Sequence, residues 1–217
     1  MIDEEKHKFI LSVIIPVGFI LLLWLIKLVE IISGINFIHL GLFPHKVSGL
    51  IGIITAPLIH ANFNHLISNS IPVLLLSGGI IYFYPQSAFK VFAMVYFVPG
   101  IFVWFFARPA YHIGASGLIY GFVSFLFFSG IIRRDNRSIA LALIVTFLYG
   151  GIIWGIFPID REISWEYHLF GALTGIYCSF LFRRLDPPKR YDWEDEDEFT
   201  EEFKEGETQN DDSSYNI

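Results

Sequence analysis

The stretch "HIGASGLIYGFVSFLFFSGII", from His112 to Ile132, decides the fold class of this chain. It contains no Asp, Glu, Lys or Arg, and as a helix it is long enough to cross the roughly 30 Å hydrocarbon core of a bilayer. Similar apolar runs recur along the 217 residues, of which 54% are hydrophobic and only 17% are charged. An average soluble domain has roughly 25% charged residues, so the composition indicates a membrane protein.

Six membrane spans can be drawn from the apolar runs, at residues 9–31, 65–84, 88–106, 114–132, 138–157 and 166–182. Lipid offers no hydrogen bonds to the backbone, so long apolar runs form helices, and the alternating pattern of a membrane barrel is missing. The sequence therefore predicts an all-α membrane protein, a bundle of six transmembrane helices. Residues 32–64 form a long outer loop, whose apolar character predicts that it lies in the membrane interface or packs on the bundle.

The chain divides into three parts: residues 1–8 as a cytoplasmic N-terminal segment, residues 9–185 as the six-span domain, and residues 186–217 as an acidic tail. Residues 189–217 carry twelve acidic and three basic residues, so the rest of the chain has a net charge of +3. Such a tail buries too little apolar surface to offset the entropy of its chain, and we expect it to be disordered. A helical acidic peptide that binds a partner is the alternative.

Loop charges predict the orientation in the membrane. With a cytoplasmic N-terminus, the inner side receives most of the Lys and Arg residues: Lys6, Lys8, Lys90, Arg133, Arg134, Arg137, Arg183, Arg184, Lys189 and Arg190. The outer side receives Lys27, Lys46, Arg108 and Arg161. Because positive charge favours the cytoplasmic side, we expect both termini in the cytoplasm. A bacterial plasma membrane fits this arrangement, and an organelle membrane is the alternative.

Three polar clusters interrupt the apolar sequence: "HANFNHLISN" (residues 60–69), "GASG" (residues 114–117) and "HLFGALTG" (residues 168–175). Polar groups in a membrane are costly and usually functional. All three clusters lie at the starts of spans 2, 4 and 6, which the charge pattern places on the outer side. We therefore expect them to meet at a similar depth.

The residue types in these clusters suit acyl transfer. Ser116 lies in the first turn of span 4, where free N–H groups and the helix dipole favour developing negative charge. His168 is a candidate general base for Ser116. His65 and Asn69, four residues apart on one helix face, are candidate donors to an oxyanion. Taken singly, each cluster also fits a structural role: a capped or tightly packed helix start, an interfacial His beside a packing motif, or an interhelical polar clamp.

Supporting roles are expected for further residues. Gly114 allows an unusual turn before Ser116, and Gly171 with Gly175 forms a seam of small residues that lets another backbone approach closely. Tyr120 lies one turn below Ser116, and its ring is expected to pack on His168 and orient the imidazole, the task of the acid in a triad. The predicted catalytic unit is therefore a Ser–His dyad.

These residues together resemble the rhomboid family of intramembrane serine proteases. The resemblance rests on three motifs on alternate spans: His65-x-x-x-Asn69, Gly114-x-Ser116-Gly117-x-x-Tyr120 and His168-x-x-Gly171-x-x-x-Gly175. It covers roughly residues 9–183 and leaves out the acidic tail.

The resemblance implies that Ser116 is the nucleophile and His168 the general base. His65, Asn69 and the Ser116 backbone N–H look like the oxyanion hole, and His60 matches a further histidine that the family often has. The implied substrates are membrane-anchored proteins in the lipid bilayer, cut within or beside a transmembrane helix. No cofactor, metal or nucleic acid is implied, and the oligomeric state is left open.

One departure from the family concerns the long first loop. Many rhomboids carry a Trp-Arg pair there, but residues 32–64 contain no Trp, and Lys46 is their only Lys or Arg. The sequence therefore does not explain how this loop is held.

Two other functions are compatible with the chain. A catalytically inactive rhomboid-like protein would bind client transmembrane helices, although such relatives usually lack the Ser or the His of the dyad. A membrane metalloenzyme would use His60, His65, His112 and His168, although no HExxH spacing appears.

Overall fold

A computed structural model describes residues 2–159 and 163–187 of the chain. These residues form seven α-helices: α1 (Ile2–Ser33), α2 (Gly52–Thr55), α3 (Phe63–Phe83), α4 (Ala88–Phe106), α5 (Ser116–Arg133), α6 (Asn136–Tyr149) and α7 (Trp165–Leu181). Four 3₁₀ turns complete them: Phe37–Leu40, Val47–Ile51, Ala56–Leu58 and Gly150–Ile156, the last called the 3₁₀ segment below. Within the described ranges no β-strand forms, and Leu42 and His112 make an isolated antiparallel bridge. The predicted all-helical fold class is confirmed.

Among the described residues, five helices are long and apolar enough to cross a membrane. They are α1, α3, α4, α5 and α6, the last taken together with the 3₁₀ segment that continues it to Ile156. Helix α7, where the sixth span was expected, has 17 residues and carries Glu166 in its first turn. The fold is therefore that of an integral membrane protein with five membrane-capable helices and a shorter seventh helix.

Helix α1 begins at Ile2, well before the expected span at residue 9. Asp3, Glu4 and Glu5 occupy its first turn, where negative charge complements the helix dipole. Lys8 adds an ion pair with Glu4, one turn away, at 2.9 Å. Residues 2–8 thus extend the first helix. The acidic tail predicted for residues 186–217 lies outside the described residues from residue 188 onwards.

The long first loop packs against the bundle. Leu42 is fully buried, and its backbone exchanges two hydrogen bonds with that of His112, at 3.0 and 2.8 Å. The backbone N–H of His45 donates to the Trp104 carbonyl at 3.1 Å, and the Trp104 indole donates to the Lys46 carbonyl at 2.9 Å. A tryptophan of α4 therefore holds this loop from outside it.

The last turns of α1 fasten the segment that precedes α3. Lys27 is 8% exposed, and its ammonium contacts Glu30 at 2.7 Å while donating to the carbonyls of His60 and Ala61 at 3.0 and 3.2 Å. Glu30 in turn accepts the backbone N–H of Phe37 at 3.0 Å. A buried charge needs such partners, so Lys27 orders the residues around His60 instead of facing water.

Helices α5 and α7 pack glycine against glycine. A Cβ added at Gly171 would lie 2.2 Å from the carbonyl oxygen of Gly117, and one at Gly175 would lie 2.1 Å from that of Gly121. These distances leave no room for any side chain. The small-residue seam expected on the last helix therefore exists, and it brings the start of α7 against the start of α5.

Asp186 closes the opposite end of the bundle. Its carboxylate is 7% exposed and accepts the backbone N–H groups of Gln86 and Ser87, at 2.8 and 3.1 Å, as well as the Ser87 hydroxyl. These groups lie just before α4, whose first N–H groups have no partners within the helix. The carboxylate that follows α7 thus caps α4.

Candidate active site

Ser116 and His168 meet at the starts of α5 and α7. The Nε2 atom of His168 lies 2.7 Å from the Ser116 hydroxyl oxygen, and Nδ1 lies 2.9 Å from the carbonyl oxygen of Gly155. A carbonyl only accepts hydrogen bonds, so Nδ1 carries the proton and Nε2 is left to accept the Ser116 hydroxyl. This is the tautomer that a general base requires.

Tyr120 forms a flat support for the imidazole. Its ring stacks on that of His168 with centroids 4.1 Å apart and planes 9° apart. The Tyr120 hydroxyl donates to the carbonyl of Ile152 at 2.6 Å. The 3₁₀ segment therefore supplies two carbonyls to the site, one to the tyrosine and one, from Gly155, to the histidine.

Gly155 lies so close to this pair that a side chain there would displace the Tyr120 hydroxyl. A Cβ there would lie 1.9 Å from the Tyr120 hydroxyl oxygen and 3.2 Å from Nδ1 of His168. The absence of a side chain at Gly155 thus permits the carbonyl contact. Sequence reasoning missed Gly155 and Ile152, because a backbone carbonyl leaves no signature in residue type; the glycine itself was the only available signal.

His65 and Asn69 face the turn before Ser116. Gly114 has a φ of +109°, which side-chain-bearing residues rarely adopt, and a Cβ on it would lie 2.6 Å from the His65 ring. The Asn69 amide nitrogen is near the same point, at 3.8 Å from that position. This nitrogen is buried and makes no hydrogen bond within the part of the chain that is described. A buried donor without a partner is costly unless a ligand completes it.

His60 contacts the same turn through its ring. Its Nε2 atom accepts the backbone N–H of Ala115 at 3.4 Å, and its ring meets that of His65 edge to face at 5.1 Å. Burial, together with neighbouring His65, lowers the pKa of His60 to about 4. His60 is therefore neutral near pH 7, as acceptance of the Ala115 N–H requires.

Both ring nitrogens of His168 are occupied by Ser116 and Gly155, so the geometry is that of a dyad. Glu166, two residues before His168, is 3% exposed and pairs with Arg108, whose Nε lies 3.6 Å from its carboxylate. Among residues 2–159 and 163–187, no three His, Cys, Asp or Glu side chains come together as a metal-binding group.

The fold and the site together define a class: helical membrane proteins in which a serine at a helix start is hydrogen-bonded to a histidine of another helix. Residues 47–185 match the Rhomboid domain, and the chain belongs to the rhomboid family.

Three proteins with similar sequences are described by their identity to this chain. An uncharacterised protein of Mycobacterium tuberculosis is 37% identical over 182 residues, which is 79% of this chain and 74% of the relative. An uncharacterised protein of Mycobacterium leprae is 35% identical over 182 residues, 79% of this chain and 70% of the relative. A Bacillus subtilis protein named "Putative rhomboid protease YdcA" is 27% identical over 132 residues, 59% of this chain and 65% of its own length.

Proposed function

We propose that this protein is an intramembrane serine endopeptidase that uses Ser116 and His168 as a catalytic dyad. The observation that carries the proposal is the 2.7 Å contact between the Ser116 hydroxyl and Nε2 of His168, with Nδ1 committed to the Gly155 carbonyl. Membership of the rhomboid family, which includes intramembrane serine proteases, supports the same function.

The reaction follows from the tautomer of His168. The Ser116 oxygen bonds to the scissile carbonyl carbon, its proton passes to Nε2, and the carbonyl electron pair moves to oxygen. When the tetrahedral intermediate collapses, the C–N bond breaks and the leaving amine takes the proton from His168. Water then attacks the acyl-enzyme by the same two proton transfers, releasing the new carboxyl terminus and restoring Ser116.

The oxyanion is stabilised by donors that already surround the turn before Ser116. Asn69 offers a buried amide nitrogen that lacks a partner in the described part of the chain, and His65 lies beside it against Gly114. The Ser116 backbone N–H is a further candidate donor, because the first N–H groups of a helix have no partners within it. Fixed donors of this kind stabilise charge as it develops and need no reorganisation during the reaction.

The substrates are membrane-anchored proteins, cut within or next to a transmembrane helix. We assign both termini to the cytoplasm, α7 as the sixth span and the site as open to the outer side, following the loop charges. The domain boundaries are those given above, with residues 9–185 as the protease domain and an acidic cytoplasmic tail after it. The mycobacterial relatives favour a bacterial plasma membrane.

Reconstitution with a single-span test substrate examines the proposal directly. Wild-type protein is expected to cleave it, and Ser116→Ala and His168→Ala are each expected to abolish cleavage while the helix content by circular dichroism stays unchanged. Cleavage by the Ser116→Ala variant would rule out this mechanism. The Asn69→Ala variant is expected to retain cleavage at a rate reduced roughly 10²- to 10³-fold, the usual cost of one oxyanion donor.

A fluorophosphonate probe separates the proposal from a rhomboid-like protein that only binds client helices. The wild-type protein is expected to become labelled at Ser116, and the Ser116→Ala variant is not. If folded wild-type protein neither cleaves nor reacts with the probe but retains a test helix in pull-down, client binding is the function.

A further inference from the structure

The segments that lead into α5 and α7 are joined by a second Ser–His contact, in which His112 lies four residues before Ser116 and Ser164 four residues before His168. The Ser164 hydroxyl is hydrogen-bonded to Nδ1 of His112, just as Ser116 is bonded to His168. The two pairs are crossed, because the histidine of the second pair belongs to the α5 side and its serine to the α7 side. We call His112 and Ser164 the outer latch.

Ser164, the serine of the outer latch, contacts His112 and does not cap its own helix. Ser164 is the residue before the first turn of α7, where a serine hydroxyl normally accepts a backbone N–H of its own helix. Here it caps no N–H of α7 and is directed at His112 instead. A departure from local preference in favour of a contact between elements indicates a site that the tertiary structure requires.

The histidine of the outer latch is held in one tautomer. Its Nε2 atom lies 3.2 Å from the carbonyl oxygen of Arg108, so Nε2 carries the proton and Nδ1 accepts the Ser164 hydroxyl. His112 is 1% exposed, and burial lowers its pKa. The ring is therefore neutral, as this pattern requires, and the backbone bridge to Leu42 fixes the residue that carries it.

Neighbouring contacts strengthen the same connection. The Arg108 guanidinium donates to the Ile163 carbonyl at 2.6 Å and lies 3.6 Å from the buried carboxylate of Glu166. Arg108, in the turn between α4 and α5, is thus bonded to residues at the start of α7. The glycine seam joins the same two helices further along the chain, where Gly171 meets Gly117 and Gly175 meets Gly121.

We propose that His112 and Ser164 are positioning residues that fix the start of α7 relative to the start of α5, so that Ser116 and His168 stay within hydrogen-bond distance. This inference rests on the proposed protease function. Neither latch residue touches the reacting atoms; they act through the helix starts that carry them. Since the seam holds the helices together below the dyad, loss of the latch loosens the dyad more than it destabilises the fold.

The test compares Ser164→Ala, which removes the hydroxyl, with Ser164→Thr, which keeps it. Ser164→Ala is expected to lower kcat for a single-span test substrate, and the rate of fluorophosphonate labelling, about tenfold with KM within twofold, because misplacement of a catalytic group affects the chemical step. Ser164→Thr is expected to restore most of the rate. Ser179→Ala is the matched control, since Ser179 is a buried serine of the same helix whose hydroxyl donates to the Ile176 carbonyl and has no other partner in the described part of the chain.

A double variant tests whether the two residues act as one unit. In a His112→Ala background, which removes the ring, Ser164→Ala is expected to cause no further loss, because the contact is already broken. Full kcat in Ser164→Ala, an equal loss in Ser164→Thr, or additive losses in the double variant would each overturn the proposal.

Amide hydrogen exchange provides a measurement that does not depend on catalysis. Ser164→Ala is expected to speed exchange severalfold at residues 118, 119, 167 and 168, whose N–H groups are bonded to the carbonyls of Ala115 and Ser164, while leaving exchange in α3 unchanged. If the wild-type protein neither cleaves nor reacts with the probe, the protease function fails and this comparison still decides on the latch. Unchanged exchange at both helix starts would overturn the latch whatever the activity.

Discussion

Helix α5 and the segment formed by α6 and the 3₁₀ turn lie on two sides of His168 and differ sharply in packing. Of the 18 most apolar consecutive residues of α5, 56% are buried in the protein. Of the corresponding 18 residues within Asn136–Ile156, 11% are buried. Yet each contributes two groups to the site. Helix α5 supplies Ser116 and Tyr120, and the 3₁₀ segment supplies the carbonyls of Ile152 and Gly155.

The contrast separates two requirements of a dyad. The buried side fixes the distance between Ser116 and His168, because the glycine seam leaves no room for a side chain between α5 and α7. The exposed side fixes the proton on His168, since the Gly155 carbonyl selects the tautomer. Substitutions on the buried side should therefore lower stability and activity together, and substitutions on the exposed side should lower mainly activity.

The largest effect is expected at the seam. In Gly171→Ala the new Cβ would lie 2.2 Å from a backbone oxygen, so the helices must move apart. Overpacking of this kind costs about 1–3 kcal/mol, and we expect cleavage to fall at least about 100-fold, as a 1 Å misplacement does. Gly79→Ala is the control, because nothing lies within 4 Å of its Cβ. Equal thermal stability and cleavage in the two variants would refute the role of the seam.

The next effect concerns His60, which accepts the Ala115 N–H just before α5, and it depends on pH. The pKa of His60 is about 4 in the folded state and 6.5 without burial, so the unfolded chain binds more protons below about pH 6.5. Stability should fall as the pH drops through this range, by about 2 kcal/mol between pH 7 and pH 5. Thermal unfolding in detergent measures it. His60→Gln should flatten the profile, and a profile that stays the same would exclude His60 as its source.

On the exposed side, Gly155→Ala is expected to reduce activity with only a small loss of stability. The new Cβ meets the far end of the Tyr120 side chain, 1.9 Å from its hydroxyl oxygen, and that side chain can move. A shifted Tyr120 no longer supports His168, and we expect about a tenfold lower kcat, equivalent to about 1.4 kcal/mol. Gly151→Ala, in the same 3₁₀ segment with nothing within 4 Å, is the control. A matching loss in that control would point to the segment as a whole.

The smallest effect is expected for Tyr120→Phe, which keeps the stacked ring and removes the hydroxyl bonded to Ile152. A typical hydrogen bond contributes about 0.5–1.5 kcal/mol, so a two- to tenfold lower labelling rate is expected. Tyr120→Leu, which also removes the stacking, should lose clearly more activity. If the two variants behave alike, stacking on His168 contributes nothing.

Apolar run length predicted the helices well, because lipid leaves the backbone few alternatives to a helix. The run at residues 88–106 coincides with α4, and the run at 138–157 corresponds to α6 with its 3₁₀ continuation. The first helix was predicted too short, since the charges at Asp3 and Lys8 look like a solvated segment and in fact stabilise a helix end.

The site was predictable where a side chain carries the chemistry. Ser116, His168 and Tyr120 stand out by type and spacing, and the structure brings all three together, while their catalytic roles remain proposals. The contribution of Gly155 was not predictable, because it depends on a carbonyl. Trp104 was missed for another reason: it lies on α4, outside the loop whose anchor was sought.

Lys27 and Asp186 lie outside the residues that match the family, yet both hold parts of the structure that lie within that match. The Rhomboid match runs from residue 47 to residue 185, whereas Lys27 secures the backbone beside His60 and Asp186 caps α4. A fragment trimmed to the matched residues would therefore lack one fastening at each end. Relatives of this chain are best compared over the full run from the first helix to the aspartate after the last one.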